Sequence, residues 1–166
     1  MKPEEIVNIA KSYIGKTEKP NNSGFTDLKF EQRMKDVGWE KYLAWCSFFC
    51  ELVWKESCCD KTLLAVINKN FSGSATSTFK NFDLDKTFKT GVEPKLGALI
   101  VFRYGNSWQG HIAIVTEVVD KTTVKTVEGN TNDKGGREGY IVASKTRLIK
   151  KPYTPTGLNF VGFVYP

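Results

Sequence analysis

Apolar residues recur at helical spacing through the first half of the chain and cluster in short, strand-like runs through the second. Ile6, Val7, Ile9, Ala10, Tyr13 and Ile14 form one face of a helix predicted over residues 3–14. Pro3 suits its first turn, Glu4 and Glu5 complement its positive end, and Gly15 stops it. Residues 16–26 are polar, and Pro20, Asn21, Asn22, Ser23 and Gly24 are turn formers. A second helix is predicted over 27–37, ended by Gly38. A third spans 44–56, with Phe49, Cys50, Val53 and Trp54 on one face and no Gly or Pro inside. Short helical pieces follow near 61–69 and 74–82. From Glu93 onward the pattern changes: residues 98–103, 111–119, 122–128, 139–147 and 159–164 are rich in Val, Ile, Thr and aromatics, each bounded by Gly, Asn, Asp or Pro. Helices first and a meander of strands afterwards predict an α+β domain with an antiparallel sheet. No internal stretch reads as a linker, so residues 1–166 are expected to form a single domain.

Composition narrows the function. The 166 residues fit one domain, on a prior of roughly 100–200 residues per domain. Lys and Arg outnumber Asp and Glu by 24 to 18, a net charge of +6 that favours an anionic polymer as partner. The basic residues are scattered, with no basic segment interleaved with aromatics, which argues against nucleic acid. No apolar run approaches the roughly 18 residues of a membrane span. The first residues lack the charged, apolar and small-residue pattern of a signal peptide, so synthesis in the cytoplasm without one is expected, as a monomer. Cys46, Cys50, Cys58 and Cys59 crowd one short window, which suits a reducing compartment better than a disulfide scaffold. A zinc set of Cys46, Cys50, one of Cys58 or Cys59, and His111 fails on spacing. No metal and no cofactor are expected.

Two residues carry the chemistry. Cys46 lies at the start of helix 44–56, where the helix dipole and unpaired N–H groups favour a thiolate and can hold an oxyanion. His111, the sole histidine, opens the 111–119 run and can serve as the base that a thiol nucleophile needs. Such a base needs a third group on its other ring nitrogen. If Asp120 and Lys121 form a two-residue hairpin turn, His111 lies opposite Asn130, with Glu128 its diagonal neighbour on the same face. A three-residue loop reverses that parity.

With Cys46, His111 and Glu128-x-Asn130 in place, the chain resembles the CHAP family, the cysteine- and histidine-dependent amidohydrolases/peptidases of phage and bacterial cell-wall hydrolases. The resemblance runs through Tyr13-Ile14-Gly15-x-x-Glu18, Trp45-Cys46, the Pro94-x-x-Gly97 turn, Gly110-His111-Ile112-Ala113-Ile114-Val115 and Glu128-Gly129-Asn130. It implies a papain-like fold, with the helix bearing the cysteine packed on the sheet bearing the histidine. It also implies Cys46 as nucleophile, His111 as base and Glu128 as orienter. Asn130 would assist on the imidazole or on the substrate, and Glu18 would stand on the substrate side of the cleft.

The implied partner is bacterial peptidoglycan. Either the muramoyl-L-alanine bond (amidase) or a stem or cross-bridge peptide bond (endopeptidase) would be cut through a thioester. Acyl transfer, and a non-catalytic wall-binding module on the same fold, are the competing readings. A single domain without a signal peptide suits a phage lysin or a toxin injected by a secretion device, the latter with a cognate immunity protein. Trp39, Trp45, Tyr104 and Trp108 are candidate cleft walls, each equally readable as core. The loops 104–109 and 132–139 flank the site in sequence. The chain departs from many relatives at Ala98, where they carry Asp. Glu18, Asn21, Asn22 and Asp27 offer too few hard oxygen ligands for a calcium loop.

Overall fold

The N-terminal helix, α1, covers Pro3–Ser12. It stops two residues short of the predicted span because the chain turns onto the sheet. The Gly15 N–H donates to the Val142 carbonyl at 2.9 Å, and the Lys16 carbonyl accepts from the Val142 N–H at 2.8 Å. Ile14, expected on the apolar face, is therefore 45% exposed. The computed structural model describes residues 1–132 and 139–166. Four further helices follow: α2 (Leu28–Asp36), α3 (Cys46–Glu56), α4 (Lys61–Asn70) and α5 (Ala75–Asp85). Side chains cap three of them. Asp27 accepts from the first turn of α2, Asp60 from that of α4 and Ser74 from that of α5, each cap being worth about 1 kcal/mol. At α3 the N-cap residue is Trp45, whose side chain makes no capping bond. That helix alone among α2–α5 keeps its first-turn N–H groups free of a side-chain cap.

The strands are β1 (Thr90–Gly91), β2 (Leu99–Tyr104), β3 (Gly110–Val118), β4 (Thr123–Thr131), β5 (Ile141–Leu148) and β6 (Leu158–Val164). Helices precede an antiparallel sheet, the expected α+β arrangement, but the sheet is not a simple meander. Its order is β1-β6-β2-β3-β4-β5. The last strand returns across the sheet to pair with β2, Leu99 opposite Val164 and Tyr104 opposite Leu158. The two-residue β1, without a recognisable pattern of its own, exists through its pairing with β6.

The sheet separates two apolar layers. Leu99, Val101, Ile112, Ile114, Val127, Val142 and Val164 face the helices and join their core. Ala98, Ile100, Phe102, Ala113, Val115, Val124, Ile149 and Phe163 form a second cluster on the opposite face. Ala98 is fully buried there, so an Asp at this position would bring a carboxylate into an apolar layer.

The hairpin between β3 and β4 corrects the expected turn and restores the expected register. Residues 120–122 form a three-residue loop rather than the predicted two-residue turn. The Val119 and Asp120 N–H groups both donate to the Thr123 carbonyl. The Asp120 carboxylate accepts from the Thr122 N–H at 2.7 Å and from its hydroxyl at 2.8 Å, the local bond that makes Asp a turn former. Left alone, this loop would carry Glu128 to the wrong face. A β-bulge at Thr116 absorbs one residue: beyond it Val115 faces Thr126 and Ile114 faces Val127, the pairing that a two-residue turn would dictate.

Candidate active site

Cys46 is the first residue of α3. Its helix is held at both sides of that terminus. The Trp45 indole N–H donates to the Glu18 carboxylate, and the buried Trp45 ring meets Phe25, Phe30 and Phe49 edge to face. The buried Ser47 hydroxyl donates to the Ser72 carbonyl at 2.5 Å and lies 3.1 Å from the Thr78 hydroxyl. The His111 ring and the backbone N–H groups of Ser47 and Ile112 lie close enough to the Cys46 thiol to favour its anionic form.

His111 stands near the start of β3, opposite Phe102. Its strand can begin there because residue 110 is glycine: a Cβ on Gly110 would lie 2.3 Å from the Phe102 carbonyl oxygen and 2.9 Å from Thr76 Cγ2. The His111 Nε2 is 2.8 Å from Glu128 Oε2, which leaves Nδ1 for Cys46. Glu128 is completely buried. Its carboxylate carries two partners that the sequence did not reveal. The Thr126 hydroxyl donates to Oε1 at 2.6 Å, while Arg147 donates from Nε to Oε1 at 2.7 Å and from Nη2 to Oε2 at 2.5 Å. Thr126 is two residues from Glu128 on one strand, so strand alternation was its available signal. Arg147 had none, because the register of β5 against β4 is set across a long connection.

Asn130 adopts a left-handed backbone conformation, φ 54°, where the β4–β5 register shifts between Glu128 and Thr131. Among the described residues its side chain makes no hydrogen bond to the imidazole, both of whose nitrogens are engaged. Glu18 reaches the site through Trp45 rather than through the thiol, and the Asn22 side-chain amide lies against its carboxylate. Of the candidate cleft walls, Trp39 and Trp45 are buried core residues, whereas Trp108 is 76% exposed and Tyr104 partly so. The Trp108 carbonyl accepts from the Thr76 hydroxyl at 2.9 Å, which ties its loop to the start of α5. Most of the 132–139 loop lies outside the described residues. Cys50 is fully buried one turn below Cys46, and burial pushes its thiol well above the usual value.

The charges form a relay. Burial pushes the Cys46 thiol up, but the His111 bond and charge, with the two N–H donors, outweigh it and hold the thiol below its ordinary value. Burial opposes the charged imidazole too, yet the Glu128 charge and the Cys46 contact lift His111 from 6.5 to about 9. Burial likewise disfavours the Glu128 carboxylate, and His111 and Arg147 together hold it far below the usual carboxylate range. These shifts favour a thiolate–imidazolium pair backed by a carboxylate.

Its titration has a direct test. The raised His111 adds stability that is complete below about pH 6.5 and lost as pH rises through about 9. The lowered Cys46 works oppositely, adding stability as pH rises toward the ordinary thiol value of about 8.5. These effects overlap and offset each other in a melting curve. His111 is the single histidine, so its imidazole proton resonance reads the site without interference. A midpoint near 9 is expected, and one near 6.5 would show that Glu128 and Cys46 leave the ring unperturbed.

A cysteine-headed helix packed on an antiparallel sheet that carries its histidine and carboxylate is the layout of papain-like cysteine–histidine proteins. Within that class, residues 38–130 match the CHAP domain, more than half of the chain, and the protein belongs to the CHAP domain family. This family is associated with peptidoglycan hydrolase activity. No curated protein matches the sequence. Among the described residues no helix is long and apolar enough to cross a membrane.

Proposed function

We propose that the protein hydrolyses an amide bond of peptidoglycan through a cysteine thioester. The observation that carries this reading is the Cys46–His111–Glu128 chain of contacts at the uncapped start of α3. The Cys46 thiolate attacks the amide carbonyl carbon, and the first-turn N–H groups of α3 receive the resulting oxyanion. His111, protonated, donates to the amide nitrogen as the C–N bond breaks. The imidazole then takes a proton from water, whose oxygen attacks the thioester; the C–S bond breaks, the acid leaves, and the Cys46 thiolate and His111 imidazolium are restored. Glu128 holds the imidazole in the tautomer that this exchange requires. With both ring nitrogens engaged, the substrate is the partner open to Asn130. Glu18 acts by anchoring Trp45 beside the nucleophile.

The catalytic unit extends beyond the family match. Ile6 of α1, Val142 of β5 and Val164 of β6 share its core, and Arg147 of β5 holds Glu128. The net charge of +6 favours residence on an anionic wall. The test is mass spectrometry of fragments released from purified peptidoglycan, with Cys46→Ala as the control. Fragments released by the wild type alone are expected. A freed lactyl carboxylate on the glycan identifies an amidase, and a cut stem or bridge identifies an endopeptidase. Release by neither protein from several wall types would overturn the hydrolase reading in favour of a wall-binding module.

A further inference from the structure

Glu128 has more donors than the orientation of one imidazole requires. Oε1 accepts from Thr126 and from Arg147 Nε, and Oε2 is shared between Arg147 Nη2 and His111 Nε2. The carboxylate is completely buried, and the Arg147 guanidinium lies over the Phe102 ring with its carbon 5.7 Å from the centroid. A guanidinium fork meeting both oxygens fixes the carboxylate plane as well as its charge, which an ammonium or a single hydroxyl does not.

We propose that Arg147 is a positioning residue for the reaction: its fork holds the Glu128 carboxylate anionic and in one orientation toward His111, so that the imidazole can keep the Cys46 proton. This inference rests on the catalytic reading above. Among the described residues, the groups facing Glu128 are His111 from β3, Thr126 on its own strand, Arg147 from β5, and the Cys50 thiol from α3. Lys145, two residues before Arg147 on β5, donates its ammonium to the Asn132 carbonyl. Among the described residues Arg147 is the cation of this cluster that keeps its charge, because His111 loses its own whenever it delivers its proton. Without Arg147, a buried carboxylate beside a neutral imidazole is favoured in its protonated form. The imidazolium then loses its counter-charge, and the thiolate loses the imidazolium.

Alkylation of Cys46 by iodoacetamide tests this without a wall substrate. The thiolate forms an S–C bond as the C–I bond breaks and iodide leaves, so the rate follows the thiolate population. Peptide mass spectrometry separates Cys46 from the exposed Cys59. Arg147→Met, which keeps an apolar stem over Phe102, is expected to move the half-point of the alkylation profile up by about one pH unit or more. It should also reduce wall hydrolysis about tenfold or more, the scale seen when a buried functional group loses an outer partner. Arg147→Lys should return most of the pH shift while recovering less of the activity, since it restores charge without the fork. If Arg147→Met does not fold, Thr126→Val removes one donor from Oε1 and is expected to give a smaller shift in the same direction. An unchanged half-point in a folded Arg147→Met, or in Thr126→Val where that variant stands in, would make Arg147 a packing residue only. Wild-type protein that alkylates as expected but releases no wall fragments would instead remove the hydrolase reading, and with it the catalytic purpose assigned to Arg147.

Discussion

Glu128→Gln is expected to lower kcat about 10³- to 10⁴-fold, the scale on which a wrong imidazole tautomer acts at a catalytic triad. The substitution preserves volume but exchanges one carboxylate oxygen for an NH₂ group. In the native site every partner of Glu128 is a donor or, at neutral pH, a protonated ring nitrogen. If the amide oxygen turns to Arg147 and Thr126, its NH₂ meets Nε2 of His111 and requires that nitrogen to accept. The imidazole proton then sits on Nδ1, facing Cys46, and the ring cannot take the thiol proton. If the amide turns the other way, its NH₂ opposes the Nε–H of Arg147 and the Thr126 hydroxyl. Either way a charge is left without its counter-charge, at a stability cost of about 3 kcal/mol, the low end for breaking a buried pair because Arg147 retains some solvent access. Steady-state kinetics on released fragments and a denaturant titration measure the two effects separately. A variant with near wild-type kcat would show that Glu128 does not set the tautomer.

The second large effect is expected from Gly129→Ala. A Cβ built on Gly129 lies 2.7 Å from Phe49 Cβ and 2.7 Å from Trp45 Cζ3. Real contacts of this kind are longer, and Phe49 Cβ is bonded directly to the α3 backbone, so rotation of the ring cannot relieve the clash. Either β4 or the first turns of α3 must move. The cost is about 3 kcal/mol, the upper part of the range for overpacking a core. The displaced elements are those that carry Glu128 and Cys46, and a misplacement near 1 Å at reacting groups costs about 10² in rate. Thermal unfolding should show a marked loss, and the surviving folded protein should have reduced kcat. Wild-type stability in Gly129→Ala would mean that the helix and strand have room to spare, contrary to the close approach seen here.

These two residues mark the boundary between what is legible in the chain and what is not. The helix headed by Cys46 follows from an uninterrupted apolar face, and the placement of His111 near a strand start follows from its run of Ile, Ala and Val. The contact between His111 and Glu128 was legible only conditionally. It depended on hairpin parity, and the turn that supplies the parity differs from the expected one. Asp120 and Thr122 build a three-residue loop, while the bulge at Thr116 restores the pairing of Ile114 with Val127. A bulge has no strong local signature, since any residue that fits a strand also fits it.

By itself, then, the sequence determined the local elements, the α+β class and the set of groups able to do thiol chemistry. Each of these rests on short-range periodicity, backbone preference or side-chain type. Only the tertiary structure decided that β6 returns beside β2, that Arg147 and Thr126 grip Glu128, that Glu18 anchors Trp45, and that Asn130 leaves the imidazole to others. Those outcomes depend on the register between strands distant in sequence and on how closely a helix approaches a sheet. Such pairings arise from the collective packing of two apolar layers, and no local run of residues encodes them.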